Sequence, residues 1–479
     1  MAQRLRKPRM MHKTMGRVII SACTLLALVG CTVGPNYQPP ELDIQQGYLE
    51  VIHPESLQRT ATLRWWEHFN DPVLNAWVTQ GLDSNLDIAA SLERISAAQA
   101  ALRGTGIHAA ISGDLTASST RAGADGSATV SNDSAGLSGN LAIDLFGGIR
   151  REREAALANL LAVVNDSQTA RLAYLSALVN AYVNARYYQY AMLMTEQAID
   201  SREQTLTITQ RQRAVGSATE LEEEQVTALL FNAQADIPDL NASFLAQIYA
   251  IATLLGEPAG PLLADMQASA PTVSALLGLN LETPYQAGVP ADLLRNRPDV
   301  RAAEQRLRVA YAKIGVATAA RLPSLSLTGT ISSDNNAWSF GPVITLPIFN
   351  QGALAASQDQ AAAEAREAFI IYQQTVLTAV EDVQSANSAW LRDRHKVDLL
   401  RKSVNAYTRA YDLSMQTYQV GVMTLLDVLD TDRYLNSARL AYAAALRDLS
   451  ADWARLQIAL GAGANVNSNS TEIKNSVSE

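Results

Sequence analysis

The 479-residue chain is 48% hydrophobic and sets 38 Lys and Arg against 47 Asp and Glu, a net charge of −9. An acidic chain with no basic cluster in its body is a poor partner for nucleic acid. His53, His68, His108 and His395 lack metal-ligand spacing, and no phosphate-binding glycine loop or GxSxG nucleophile stands out, so an enzyme is not expected.

Six cations, Arg4, Arg6, Lys7, Arg9, Lys13 and Arg17, precede an apolar run from Val18 to Gly30. That pattern predicts a secretory signal peptide over residues 1–30. Its apolar core of about a dozen residues is too short to cross ~30 Å of hydrocarbon as a helix. Leu28-Val29-Gly30-Cys31 resembles a bacterial lipobox, which implies an acylated Cys31 as the mature N-terminus. Ordinary cleavage near Gly30 beside an incidental cysteine is the alternative. Thr32 in place of an Asp is similar to the sorting signal of Gram-negative lipoproteins sent to the outer membrane. Removing the signal takes six cations and no acid, which moves the charge from −9 to −15. Cys23 leaves with it, so a lipidated Cys31 leaves no thiol for a disulfide or a metal site. No cofactor beyond that N-terminal lipid is expected.

Val215-Gly216-x-x-Thr219-x-Leu221-Glu222 returns as Val420-Gly421-x-x-Thr424-x-Leu426-Asp427, and Leu255-Gly256 returns as Leu460-Gly461, both 205 residues later. The chain is a tandem duplication. Its parts are the signal peptide (1–30), a lipidated N-terminal tether (31–75, Pro-rich from Val33 to Pro40), a first repeat (76–256), a linker (257–291), a second repeat (292–461) and a disordered tail (462–479). Aromatic packing under a helix start accounts for Trp65-Trp66 and Phe69.

Each repeat opens with a helix, about 86–110 and 298–321, the second begun by Pro298-Asp299 as a helix N-terminus favours. Alternating sequence follows. Leu137, Gly139, Leu141, Ile143 and Leu145 share one face after a loop from Arg121 to Ala135. Ser324 to Ile331 forms a strand, and Trp338, Phe340, Pro342, Ile344, Leu346 and Ile348 line the next. Segments of about ten residues suit tilted transmembrane strands; soluble hairpins packed on helices would show the same pattern. The repeat offset is 212 at Asp87/Asp299 and 203 at Phe146/Phe349, so the first hairpin is nine residues longer. After Gly148 as far as Val215, and after Gly352 as far as Val420, there is neither proline nor glycine. Each stretch predicts a helix of roughly 100 Å at 1.5 Å per residue. Glycine ends it and Thr219 or Thr424 starts a return helix, giving two long αα-hairpins. Pro238 should interrupt the first return helix, and its counterpart Ala443 should not.

Four strands cannot close a barrel, and open edges are not tolerated in lipid. The expected fold class is therefore α+β, with a trimeric twelve-stranded outer-membrane β-barrel, four strands per chain, continuous with a long periplasmic α-helical barrel. Cys31-Thr-Val-Gly-Pro-Asn-Tyr37, Trp65-Trp66-x-x-Phe69-x-Asp71-Pro72-x-Leu74, Asp144-Leu-Phe-Gly-Gly148 and the run from Gly288 to Glu304 resemble the lipidated outer-membrane factors of the TolC/OprM efflux family, NodT-like branch. The resemblance implies a homotrimeric, passive, gated exit duct in the outer membrane, lipid-anchored and extending into the periplasm. It would dock on a periplasmic membrane-fusion adaptor and an inner-membrane pump of the resistance–nodulation–division type, and expel drugs or other small molecules. A type I protein-secretion duct and a pore-less periplasmic helical scaffold are the alternatives.

The resemblance also places a periplasmic aperture at the tip turns, Gly216 and Gly421. Asp427 and Asp430 match the family's acidic rings, Tyr418 a tyrosine that holds the gate shut, and Glu222 an acidic partner on the first tip. Acids at a helix start are also favoured by the dipole alone. The basic residue found in some members two positions after the second glycine is Met423 here, which puts the matching inter-hairpin salt bridge in doubt. Arg211 and Arg213 lie close by in sequence.

Overall fold

The computed structural model describes residues 32–41, 64–126, 128–268 and 296–464. The signal peptide, Cys31, most of the linker and the tail from residue 465 lie outside the described residues. In chain order, a 3-10 turn (Trp65–Phe69) leads into helices α1 (Pro72–Ser84), α2 (Leu86–Arg103) and the short α3 (Ile107–Ala110). Strands β1 (Ile111–Ala122) and β2 (Val130–Ile143) follow, then α4 (Gly148–Ala214), α5 (Glu220–Leu255) and α6 (Ala259–Ala268). The second repeat supplies α7 (Pro298–Ala319), β3 (Ser324–Ser332), β4 (Trp338–Thr345), α8 (Gln351–Gln419) and α9 (Leu425–Ala459).

Several boundaries differ from the sequence reading, each for a local reason. Gly104-Thr105-Gly106, with Gly106 at φ +69°, ends α2 and divides the expected opening helix in two. The loop expected from Arg121 to Ala135 shrinks to residues 123–129, because Ser, Thr, Asn and Asp continue both strands without apolar alternation. β4 stops at Thr345, short of Leu346 and Ile348. The linker begins as a helix, α6, whose Leu262 and Met266 are buried. Helix α5 also runs through Pro238 unbroken. Proline inside a helix costs ~3 kcal/mol, whereas burying each of Leu230, Phe244, Ile248 and Ile251 contributes ~1.5–3 kcal/mol.

The duplication is visible in the backbone at the helix ends. After α4, Gly216 at φ +77° donates to Arg213 O and Ser217 N to Gln212 O. After α8, Gly421 at φ +77° donates to Tyr418 O and Val422 N to Thr417 O. Gly256 and Gly461 close α5 and α9 with the same pair of bonds, to Thr253 and Ala252 and to Ile458 and Gln457. This is the Schellman arrangement, which needs a left-handed residue at the turn and so favours glycine.

Spatially, the chain forms two compact units that do not follow the repeats. Of the described residues, unit 1 takes 32–41, 94–126, 128–164 and 302–374; unit 2 takes 64–93, 165–268, 296–301 and 375–464. Each unit therefore draws on both repeats.

Unit 1 carries one antiparallel sheet in the order β1-β2-β3-β4. Its register aligns Leu115, Leu137, Ile331 and Trp338 in one cross-strand row, and Gly113, Gly139, Gly329 and Phe340 in the next. The expected apolar positions that lie within the strands thus share one face, opposite Asp114, Ser138, Thr330 and Ser339. That apolar face is open: Leu115 is 79% exposed, Trp338 77% and Phe340 70%. Past Ala135 towards the tip, β1 and β2 pair only with each other, through bonds such as Ser118 with Ser134 and Ser119 with Asp133. Asp144 accepts from the amides of Ile149 and Arg150, so the Asp-Leu-Phe-Gly-Gly motif is the cap that turns β2 into α4. Thr32 to Glu41, expected as a tether, lies packed on this unit, with Val33 N bonded to Phe146 O.

Unit 2 is organised around Trp65, Trp66, Phe69, Trp77, Tyr182 and Trp453. Asp71 caps α1 through Val73 N and also accepts from Tyr182 Oη and from Arg186 Nη2 at 3.1 Å. A second polar site joins α8 to α9, where Asp452 hydrogen-bonds Asp393 beside Asp448, Lys396 and Arg455. Burial, then the bond to and charge of Asp393, push the Asp452 carboxyl up to about 6, against the pull of Arg455.

Two measurements follow from these arrangements. Leu137→Arg, on the apolar face near the middle of β2, is expected to lower unfolding stability in lipid vesicles by ~2–4 kcal/mol; Ser138→Arg on the other face leaves it within ~1 kcal/mol. Equal losses at the two neighbours would contradict a lipid-facing row. Because the folded Asp452 holds its proton more tightly than the unfolded chain does, ionising it costs stability as pH rises from ~4, its unfolded value, to about 6. Asp452→Asn is therefore expected to raise the melting temperature relative to the parent at pH 7 and to leave it unchanged at pH 4.

Candidate functional site

The two hairpin tips belong to unit 2 and are built alike. Thr219 caps α5 by accepting from Glu222 N, and Glu222 Oε2 accepts from Thr219 N at 2.6 Å, a complete capping box. Thr424 caps α9 by accepting from Asp427 N, and its hydroxyl donates to Asp427 Oδ2 at 2.6 Å. Glu222 and Asp427 are thus the same position, 205 residues apart. Each acid bonds the threonine that caps the return helix of its own tip. On the first tip it is Glu223 that pairs with a cation: Arg213 Nη1 bonds Glu223 Oε2, and Nη2 lies 3.4 Å from Glu220. The bond to Arg213, then one from Gln210, hold the Glu223 carboxyl below its ordinary value. Arg213 therefore serves its own hairpin.

Asp430 lies one turn beyond Asp427 and pairs with Arg433 Nη2 at 2.5 Å, in the open. Asp427, Asp430 and Arg433 together present one net negative charge per chain.

Tyr418 is 6% exposed and sits in a small apolar core with Val226, Leu425, Val428 and Leu429. Its hydroxyl donates to Gln212 Oε1 on the first hairpin at 2.5 Å. Met423 packs against the same core, so the position that is basic in some members is apolar in effect here. The hairpins are joined instead by buried polar bonds. Arg202 Nε meets Asp432 Oδ2 at 2.9 Å, both nearly inaccessible, and Arg202 Nη1 donates to Leu229 O. Ser201 and Tyr411 hydroxyls lie 2.5 Å apart. One side chain, Arg202, thus ties α4, α5 and α9 together at a single guanidinium.

Gln212, Arg202 and Asp432 were not singled out in the sequence. A signal exists for Asp432: Leu425, Val428, Asp432 and Leu435 follow the three–four rhythm of a buried seam, and all four are buried. A lone acid on such a seam needs a partner. Gln212 carries no comparable mark. Among the described residues, no group of three or more His, Cys, Asp or Glu is placed to hold a metal, and no helix is long and apolar enough to cross a membrane.

The family model described as outer membrane efflux protein matches residues 77–257 and 289–462, one stretch per repeat. Nodulation protein T of Rhizobium leguminosarum bv. trifolii is 34% identical over 455 residues, covering 92% of this chain and 96% of its own. The pyoverdine export outer membrane protein OpmQ of Pseudomonas aeruginosa is 32% identical over 92% of this chain and 94% of its own. Among solved structures, the outer-membrane channel OprN shares the fold with a TM-score of 0.80 at 29% identity, over 91% of this chain and 100% of that one. The open-state MtrE outer membrane channel of Neisseria gonorrhoeae gives 0.79 at 28%, over 90% and 98%. A family model on both repeats, and channels that share the whole fold, place this chain among the outer membrane efflux proteins, which are export ducts of the outer membrane and not enzymes.

Proposed function

We propose that three copies of this chain assemble into a passive, gated exit duct, anchored by a lipid on Cys31, that receives small molecules from a periplasmic adaptor and an inner-membrane pump of the resistance–nodulation–division type. The observation that carries the trimer is the sheet: four strands with an exposed apolar face and open edges at β1 and β4. In hydrocarbon those edges must pair, and three copies give twelve strands, within the range of closed outer-membrane barrels. The relatives' cargoes, pyoverdine for OpmQ and solvents for the SrpC pump of Pseudomonas putida, point to small molecules as the exported class.

The tips form the periplasmic aperture in this reading. Asp427 and Asp430 from three chains would surround a narrow path, where like charges focus the field and attract cations. Tyr418 acts as the latch, because its bond to Gln212 crosses between hairpins and its ring fills the core beneath both. Arg202 and Asp432, buried farther along the same helices, hold the hairpins together where the tips part.

Conductance across planar bilayers tests the duct and the aperture together. The purified protein is expected to form channels blocked by hexamminecobalt added from the tip side, and Asp427→Ala with Asp430→Ala to relieve that block. Silence from the parent protein would end the duct reading; undiminished block in the double variant would end the aperture assignment alone. Tyr418→Phe removes one buried hydrogen bond, worth ~1 kcal/mol, so the open fraction is expected to rise about fivefold. An unchanged open fraction would remove Tyr418 from the latch.

A further inference from the structure

The segment Thr32–Glu41 makes contacts that a loose tether would not. Arg151, on the first turn of α4, is 4% exposed and turns three N–H bonds onto this segment. Its Nε donates to Val33 O at 3.2 Å, and its Nη2 to Gly34 O at 3.3 Å and to Asn36 Oδ1 at 2.7 Å. The remaining nitrogen meets Glu154 at 2.8 Å. Without the segment, a buried guanidinium would lose most of its acceptors, a costly state.

Shape agrees with charge. A Cβ on Gly34, itself at φ +86°, would fall 2.5 Å from Gly315 Cα on α7. A Cβ on Gly315 would fall 2.7 Å from Arg151 Cγ, and one on Gly147 would fall 2.6 Å from Thr32 Cγ2. Three glycines thus clear a path for one peptide and its clasp. Farther along, the Tyr37 hydroxyl donates to Glu304 Oε1 at 3.1 Å, and its ring meets Tyr311 edge-on at 5.8 Å. Val33 N, bonded to Phe146 O, fixes the register of the whole run.

We propose that Thr32–Pro40 is a docked strap, a peptide ligand carried on its own chain, and that its notch holds the Cys31 attachment point at the turn from β2 into α4. The ligand class is an extended peptide of the form Thr-Val-Gly-Pro-Asn-Tyr, read by a guanidinium, a glycine gap and a tyrosine edge. Cys31 directly precedes Thr32, which already touches Gly147. The acyl group is therefore held at a set depth beside the end of the sheet. That consequence rests on the lipid reading of Cys31; the docking does not.

A cleavage site for a sequence-specific protease, inserted between residues 42 and 63 of the full-length protein, separates the two ideas. After cutting in excess detergent, the chain is captured by a C-terminal tag and the retained N-terminal fragment is weighed by mass spectrometry. The parent fragment is expected to stay bound. Gly34→Val and Asn36→Ala, which change only the fragment and leave its lipid alone, are expected to lower retention about tenfold or more. Release of the parent fragment, or equal retention of both variants, overturns the strap. A fragment that stays bound without an acyl mass supports the docking and overturns the anchor.

Discussion

In hydrocarbon a backbone amide has no water to turn to, and the sheet of this chain leaves one edge of β1 and one edge of β4 open. The remaining architecture answers that constraint. Duplication supplies a second hairpin whose β3 continues the ladder from β2, in a register that keeps leucine opposite leucine and glycine opposite glycine. Where Gly329 leaves a gap on the apolar face, the Phe340 ring leans to within 3.4 Å of the missing Cβ. The face so completed is apolar and open, the reverse of a soluble sheet, and only lipid or another apolar surface suits it.

Much of this was legible in the sequence because it depends on local rules. The Val-Gly turns, the threonine caps and the alternation of Leu137, Leu141 and Ile143 each follow from a few neighbouring residues. The outer halves of β1 and β2 were not legible, since Ser, Thr, Asn and Asp signal a loop until a partner strand is known. Pro238 misled for the opposite reason: a local penalty was real but smaller than the burial around it. The interleaving of the two repeats in space was hidden altogether. Duplicated sequence suggests duplicated bodies, whereas each compact unit here draws on both copies.

At the tips the sequence singles out acids but not their circumstances. Asp427, Asp430 and Asp432 lie within six residues on one helix and meet three different fates: a capping bond, an exposed ion pair and a buried one. Spacing alone cannot rank them, because what differs is the partner brought by another helix. The buried pair of Arg202 and Asp432 contributes little net stability after desolvation, yet removing either partner alone would strand a charge, typically at 3–5 kcal/mol. Its effect is to permit one packing of the hairpins and to penalise others. Met423, by joining the apolar core, leaves that task to the buried pair and to Tyr418.

The equivalence of Glu222 and Asp427 gives the tips two symmetries at once. In backbone and in capping acid, the proposed trimer has six near-identical turns, so a partner that reads the shape of a turn would find sixfold order. Beyond the caps the copies diverge, with Gln225 standing where the second copy has Asp430, and Arg213 where it has Tyr418. In the proposed aperture an ion would meet threefold order at the same place. A docking protein and a permeating cation can therefore read one ring of residues as two different objects.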